Sequence, residues 1–148
     1  MNTKFISKAA LLFAMGSALL ASPADATERI LQVKSFGNIP YVSGGVGSEE
    51  RARLNAMSHD ENLRLSFALP DGEYLGGAEV KIEDNKSQEI LEAEADGPLF
   101  FAKLPAGKYT VQATTMGRTL TRTVNISARE QTPIYFVWKD DERHQGVK

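Results

Sequence analysis

The chain contains no cysteine among its 148 residues. That excludes disulfide staples, thiol catalysis and an acyl anchor on a modified cysteine, so packing alone has to stabilise the fold. Histidine is nearly as scarce, with only His59 and His144. The two stand far apart and in no H-x-x-x-H spacing, so a zinc site has little support. Neither sign of charge prevails: 17 Lys and Arg face 19 Asp and Glu, mixed along the chain, for a formal net charge of −2. A nucleic-acid or anionic-membrane surface would need a basic excess that is missing here. The turn acids Asp60, Asp71, Asp96, Asp140 and Asp141 lack the density of a calcium loop. No cofactor and no metal are expected.

What is present begins with a leader. Lys4 and Lys8 precede a largely apolar stretch over 9–20, and Ser22-Pro23-Ala24-Asp25-Ala26 supplies a small-residue cleavage pattern. Twelve residues rise about 18 Å as a helix, short of a hydrocarbon core of roughly 30 Å. The pattern predicts a signal peptide over 1–26, periplasmic or secreted destination, and no membrane span after cleavage. The remaining 27–148 is long enough for one domain with its own core.

An extension over 27–61 is expected next. Residues 29–36 read as a short strand, broken at Gly37-Asn38-Ile39-Pro40. Three glycines between Tyr41 and Gly47 predict a loop. Residues 48–57 then read as a helix. Ser48 is the predicted cap, Glu49 and Glu50 suit the positive end of the helix dipole, and Leu54 with Met57 forms a narrow apolar stripe.

From Asn62 the hydrophobic period becomes two. Leu63, Leu65, Phe67 and Leu69 alternate with Arg64, Ser66 and Ala68, which predicts a half-buried strand. Further strands are expected over 78–84 and 89–95, then over 120–126 and 134–138. In 120–126, Arg122 shares the parity of Leu120, Val124 and Ile126, so either a bulge shifts the register or the arginine snorkels to the edge. The final run is apolar on both faces and is expected to be central or covered. Residues 139–148 form a polar tail.

The densest signal is Gly97-Pro98-Leu99-Phe100-Phe101-Ala102-Lys103-Leu104-Pro105-Ala106-Gly107-Lys108-Tyr109-Thr110-Val111. It reads as strand, Pro-Gly turn, strand, with Leu99, Phe101 and Leu104 buried on one strand and Tyr109, Val111 and Ala113 on its partner. If Phe101 points inward, Phe100 points out, and with Tyr135 it forms an apolar patch. Either a partner takes that patch or the N-terminal residues Phe36, Tyr41, Leu54 and Met57 cover it.

This motif resembles the signature of carboxypeptidase regulatory-like domains. Gly72, Leu75, Gly77, Ala78 and Val80 resemble the same family's G-x-x-L-x-G-A-x-V strand opening. The resemblance covers 62–138 and implies an all-β, seven-stranded antiparallel β-sandwich of transthyretin-like form, here with one short N-terminal helix. It implies a binding or structural role and carries no catalytic residues. The hydroxyisourate hydrolases, enzymatic relatives of that sandwich, have paired histidines and a Tyr-Arg-Gly-Ser terminus. This chain ends Gln145-Gly146-Val147-Lys148 and lacks both.

Function is therefore expected in a surface. The segment outside the family motif holds the candidate binding residues Tyr41, Ser43, Gly44, Gly45 and Glu50. The expected partner is an envelope protein or glycan, with the oligomeric state open. An accessory subunit or inhibitor of an exported enzyme is the nearest alternative. A carboxylate enzyme using Glu49 and Glu50 is a further one, which would need a concave pocket around that pair.

Overall fold

A computed structural model describes residues 31–139. The expected signal peptide over 1–26, His144 and most of the polar tail lie outside the described residues. One helix and nine strands are present among them: β1 (Lys34–Phe36), β2 (Ile39–Gly44), α1 (Ser48–Met57), β3 (Leu63–Ala68), β4 (Glu79–Glu83), β5 (Glu89–Glu94), β6 (Leu99–Ala102), β7 (Gly107–Thr115), β8 (Arg118–Ile126) and β9 (Thr132–Val137). They form two sheets, ordered β1-β2-β6-β3-β9 and β5-β4-β7-β8. This is an all-β, two-sheet architecture, with nine strands in place of the seven expected. It is not wholly antiparallel, because β3 and β9 run parallel from Leu63↔Thr132 to Ala68↔Val137.

The alternating pattern does its work between the sheets. Leu65, Phe67, Val80, Ile82, Leu91, Phe100, Val111, Phe136 and Trp138 are fully buried in one core. The Phe67, Phe136 and Trp138 rings lie 6.0–6.1 Å apart. The Trp138 indole N–H donates to the Arg118 carbonyl at 3.1 Å, so the polar edge of the ring is satisfied.

The Gly97–Val111 motif is not a hairpin. β6 belongs to the five-stranded sheet and β7 to the four-stranded one, so residues 103–106 arch from sheet to sheet. Asn62 holds that arch. Its buried amide donates to the Leu104 carbonyl at 2.7 Å and accepts from the Leu104 N–H at 2.8 Å. The Tyr109 hydroxyl donates to the Pro105 carbonyl at 2.6 Å. These bonds satisfy backbone groups that a two-residue turn would have paired with each other.

The inward face of β6 is also the reverse of the expected one. Phe100 enters the main core, whereas Leu99 and Phe101 join Val42 and Leu54 in a second cluster on the outer face. The N-terminal segment covers that outer face through Val42 and Leu54, while Phe36 and Met57 stay exposed. Tyr135 is exposed as well, at 61%. Because both of its faces are covered, β3 is more deeply buried than a half-exposed strand, and even Ser66 is buried.

Several local expectations are corrected. Of the strand expected over 29–36, only Lys34–Phe36 is strand among the described residues, and Ile39 and Pro40 open β2 rather than break the chain. The final run, expected to be central or covered, is the edge strand β9. Tyr41–Gly44 is strand, not loop, and pairs with β6 from Tyr41↔Ala102 to Gly44↔Leu99. The cap of α1 is Gly47, at φ 88°, with no side-chain cap bond, so Ser48 lies inside the helix. The Arg122 question resolves as snorkelling. The β7–β8 register runs unbroken from Gly107↔Ile126 to Thr115↔Arg118, and the exposed Arg122 guanidinium lies 5.7 Å from the Phe136 ring.

Candidate functional site

The end of β2 and the start of α1 form one wall of an open groove of about 820 Å³. Lys34 of β1, Ser43, Val46 and Glu50 stand on one side; Gly76, Gly77, Glu94 and Asp96 stand on the other. The position follows from topology. β1 and β2 end the five-stranded sheet, β5 ends the four-stranded sheet, and the gap between them is the mouth of the sandwich.

Local bonding holds the polar lining in place. The Ser43 hydroxyl accepts from the Asp96 N–H at 2.9 Å, tying the wall of one sheet to the wall of the other. Lys34 Nζ reaches Asp96 Oδ2 at 3.1 Å, a half-exposed pair that contributes little to stability. Glu50 Oε1 accepts from the Gly45 N–H at 2.9 Å, and Arg51 donates to the Gly45 carbonyl at 3.1 Å. A glutamate in the first turn of α1 and an arginine one residue later thus clamp both sides of the Gly45 peptide. Gly45 itself sits at φ 99°, a left-handed conformation that only glycine adopts freely.

Of the predicted binding residues, the structure brings Ser43 and Glu50 into the groove. Gly44 and Gly45 are buried behind it as backbone support. Tyr41 does not line the groove: it shares the inner face of β2 with Ser43, but its half-buried ring stacks on Phe100 at 5.3 Å between centroids and packs against the main core. Lys34, Gly76, Gly77, Glu94 and Asp96 were not legible as site residues. Lys34 and Asp96 are separated by 62 positions, and no local pattern joins residues so distant.

Of Glu49 and Glu50, only Glu50 lines the groove, and Glu49 is exposed on the helix. His59 lies exposed, with Nδ1 2.9 Å from the Ala56 carbonyl and Nε2 3.6 Å from Asp60. Next to it, Glu61 lines a pocket of about 270 Å³ with Asn62, Lys103 and Gln131. Burial pushes the Glu61 carboxyl above the ordinary carboxylate range; Lys103 pulls it down and Asp60 adds to the rise. No group of three or more His, Asp or Glu able to hold a metal ion occurs among the described residues.

No protein-family model matches this chain, and no curated protein sequence matches it.

Proposed function

We propose that this chain is a non-catalytic exported binding module, periplasmic or secreted, that engages an envelope protein or glycan through the groove between Ser43, Glu50, Gly76 and Asp96. The observation that carries this reading is the fixed lining of the groove. Ser43 and Glu50 are each held by a backbone amide, which pre-orders the surface and lowers the entropic cost of binding. The cleavage pattern at 22–26 supports export. The Leu104-Pro105-Ala106-Gly107 motif within a two-sheet β fold supports relation to the carboxypeptidase regulatory-like domains and a transthyretin-like arrangement.

The test is capture of binding partners from a native envelope fraction by the tagged exported protein, beside its Glu50→Gln and Asp96→Lys variants. The reading holds if a glycan or protein is retained by the wild type and lost from both variants while circular dichroism is unchanged. Retention that neither variant disturbs overturns the groove. If the retained partner is an exported enzyme whose rate changes on binding, the module is an accessory subunit or inhibitor.

A further inference from the structure

The two sheets have four edge strands, and three of them carry devices that discourage pairing with another chain. β1 has only three residues. β9 contains Pro133, which has no N–H to donate. β5 meets a register shift at Ile82/Glu83 and exposes Glu89, Glu92 and Glu94. The fourth edge, β8, is neither short nor broken by proline or a register shift, and the charge it carries is that of Arg118 and Arg122. It runs nine residues without proline, glycine or bulge, it is rich in threonine, and no strand pairs with it beyond β7 among the described residues, although the Trp138 indole reaches the Arg118 carbonyl at its start.

We infer that β8 is a docking edge that receives an extended acidic segment of another protein as a fifth strand of the β5-β4-β7-β8 sheet. The inference is independent of the groove, which lies at the opposite edge of the sandwich. The occupant follows from charge and spacing. Arg118 and Arg122 share one face of β8, with Leu120 midway between them. Arg118 donates to the Lys139 carbonyl and Arg122 to the Thr121 carbonyl, so both guanidinium groups spend bonds on backbone oxygens and neither meets a carboxylate among the described residues. The strand itself holds no acidic residue. A second copy of β8 would therefore bring arginines toward arginines, which disfavours self-pairing.

An added strand repeats the two-residue period, whichever way it runs. Residues opposite Arg118 and Arg122 are then four apart in the partner, with one residue opposite Leu120 between them. The segment that fits carries carboxylates at those two positions and an apolar residue midway. Its alternate positions meet Thr119, Thr121 and Thr123 on the outer face and are best filled by small hydroxyl side chains. Backbone bonds supply the attraction common to any strand, and the arginines select the acidic one.

The probe is a synthetic peptide, Thr-Glu-Thr-Val-Thr-Glu-Thr, flanked by glycines and read by fluorescence anisotropy. The expected result is saturable binding that weakens with salt and slows amide exchange along β8. Replacing both glutamates by lysine, or methylating alternate backbone nitrogens, is expected to weaken binding about tenfold or more. The Arg118→Glu/Arg122→Glu double variant is expected to reverse the preference and take the lysine peptide, a gain that a merely unfolded variant cannot produce. Failure of the wild type to bind the acidic peptide overturns the proposal. So do equal binding of both peptides, concentration-dependent protection of β8 without peptide, or binding that emerges only when residues 140–148 are deleted. The last two outcomes would assign the edge to a second copy or to the chain's own C-terminus.

Discussion

Gly97 lies against the carbonyl of Gly44, so closely that a Cβ on Gly97 would stand 2.4 Å from that oxygen. The contact joins the end of β2 to the turn that enters β6, directly behind the groove. Both sides of the contact are backbone, so neither can swing aside as a side chain would. Gly97→Ala is expected to cost about 2–3 kcal/mol in denaturant unfolding, through forced separation of the two strands. Gly117→Asn is the control, since nothing lies within 4 Å of the Cβ position and asparagine tolerates its φ of 71°. A near-neutral Gly97→Ala would show that the two strands separate at little cost.

Tyr41 contributes its ring to the core rather than to the groove. Tyr41→Phe should leave stability within about 0.5 kcal/mol, while Tyr41→Ala should lose about 2 kcal/mol by exposing the face of Phe100 on which it stacks. Thermal unfolding of the two variants distinguishes this from a contact residue, whose loss would affect partner binding and not the melting transition.

Leu54 is the only buried residue of α1 and joins Val42, Leu99 and Phe101 beneath it. A helix of ten residues has little stability of its own, so this cluster holds it down together with the Glu50 and Arg51 bonds to Gly45. Leu54→Ala is expected to cost about 2–4 kcal/mol and to release α1 before the sandwich opens. Hydrogen exchange should then show amides of Ser48–Met57 losing protection while β3 and β7 retain theirs. Equal loss of protection everywhere would contradict the local role.

Glu61 predicts a pH dependence whose sign follows from its partly buried position. Its folded-state affinity for the proton exceeds that of the unfolded chain, whose ordinary value is 4.5. Protonation therefore favours the fold, and that contribution is lost as pH rises from about 4.5 through the raised value. Glu61→Gln should be more stable than the wild type at neutral pH, with the gap closing in acid. Lys103→Met should lower neutral-pH stability by removing the opposing charge. Denaturation midpoints across the acid range check both, and an unchanged gap from neutral to acid would refute the linkage.

Local signals in the sequence place several elements. The period of two located β3, β4 and β7 within a residue or two, and residues 48–57 form the helix that their acidic first turn and single apolar stripe predict. Where two structures share one local pattern, the sequence does not separate them. Tyr41–Gly44 reads as a loop because glycine density signals freedom, yet the segment pairs with β6, and its glycine is there because Gly44 packs closely against Gly97. Of the candidate site, Ser43 and Glu50 were legible because they lie beside that glycine run; Asp96, Gly76 and Lys34 reach the groove only through the crossing of the sheets.

By itself, the sequence determined that the chain builds a mostly β fold without disulfides, where β3, β4 and β7 lie, and that its one described helix would be short. Each of these depends on neighbours a few positions away. Only the tertiary structure decided that β6 and β7 part into different sheets, that β3 and β9 run parallel, and that Phe100 rather than Phe101 enters the main core. The reason is physical. β6 is apolar on both faces, so alternation cannot say which face is inward, and the choice falls to partners distant in the chain: Leu65 and Tyr41 against Phe100 on one side, Val42 and Leu54 against Phe101 on the other.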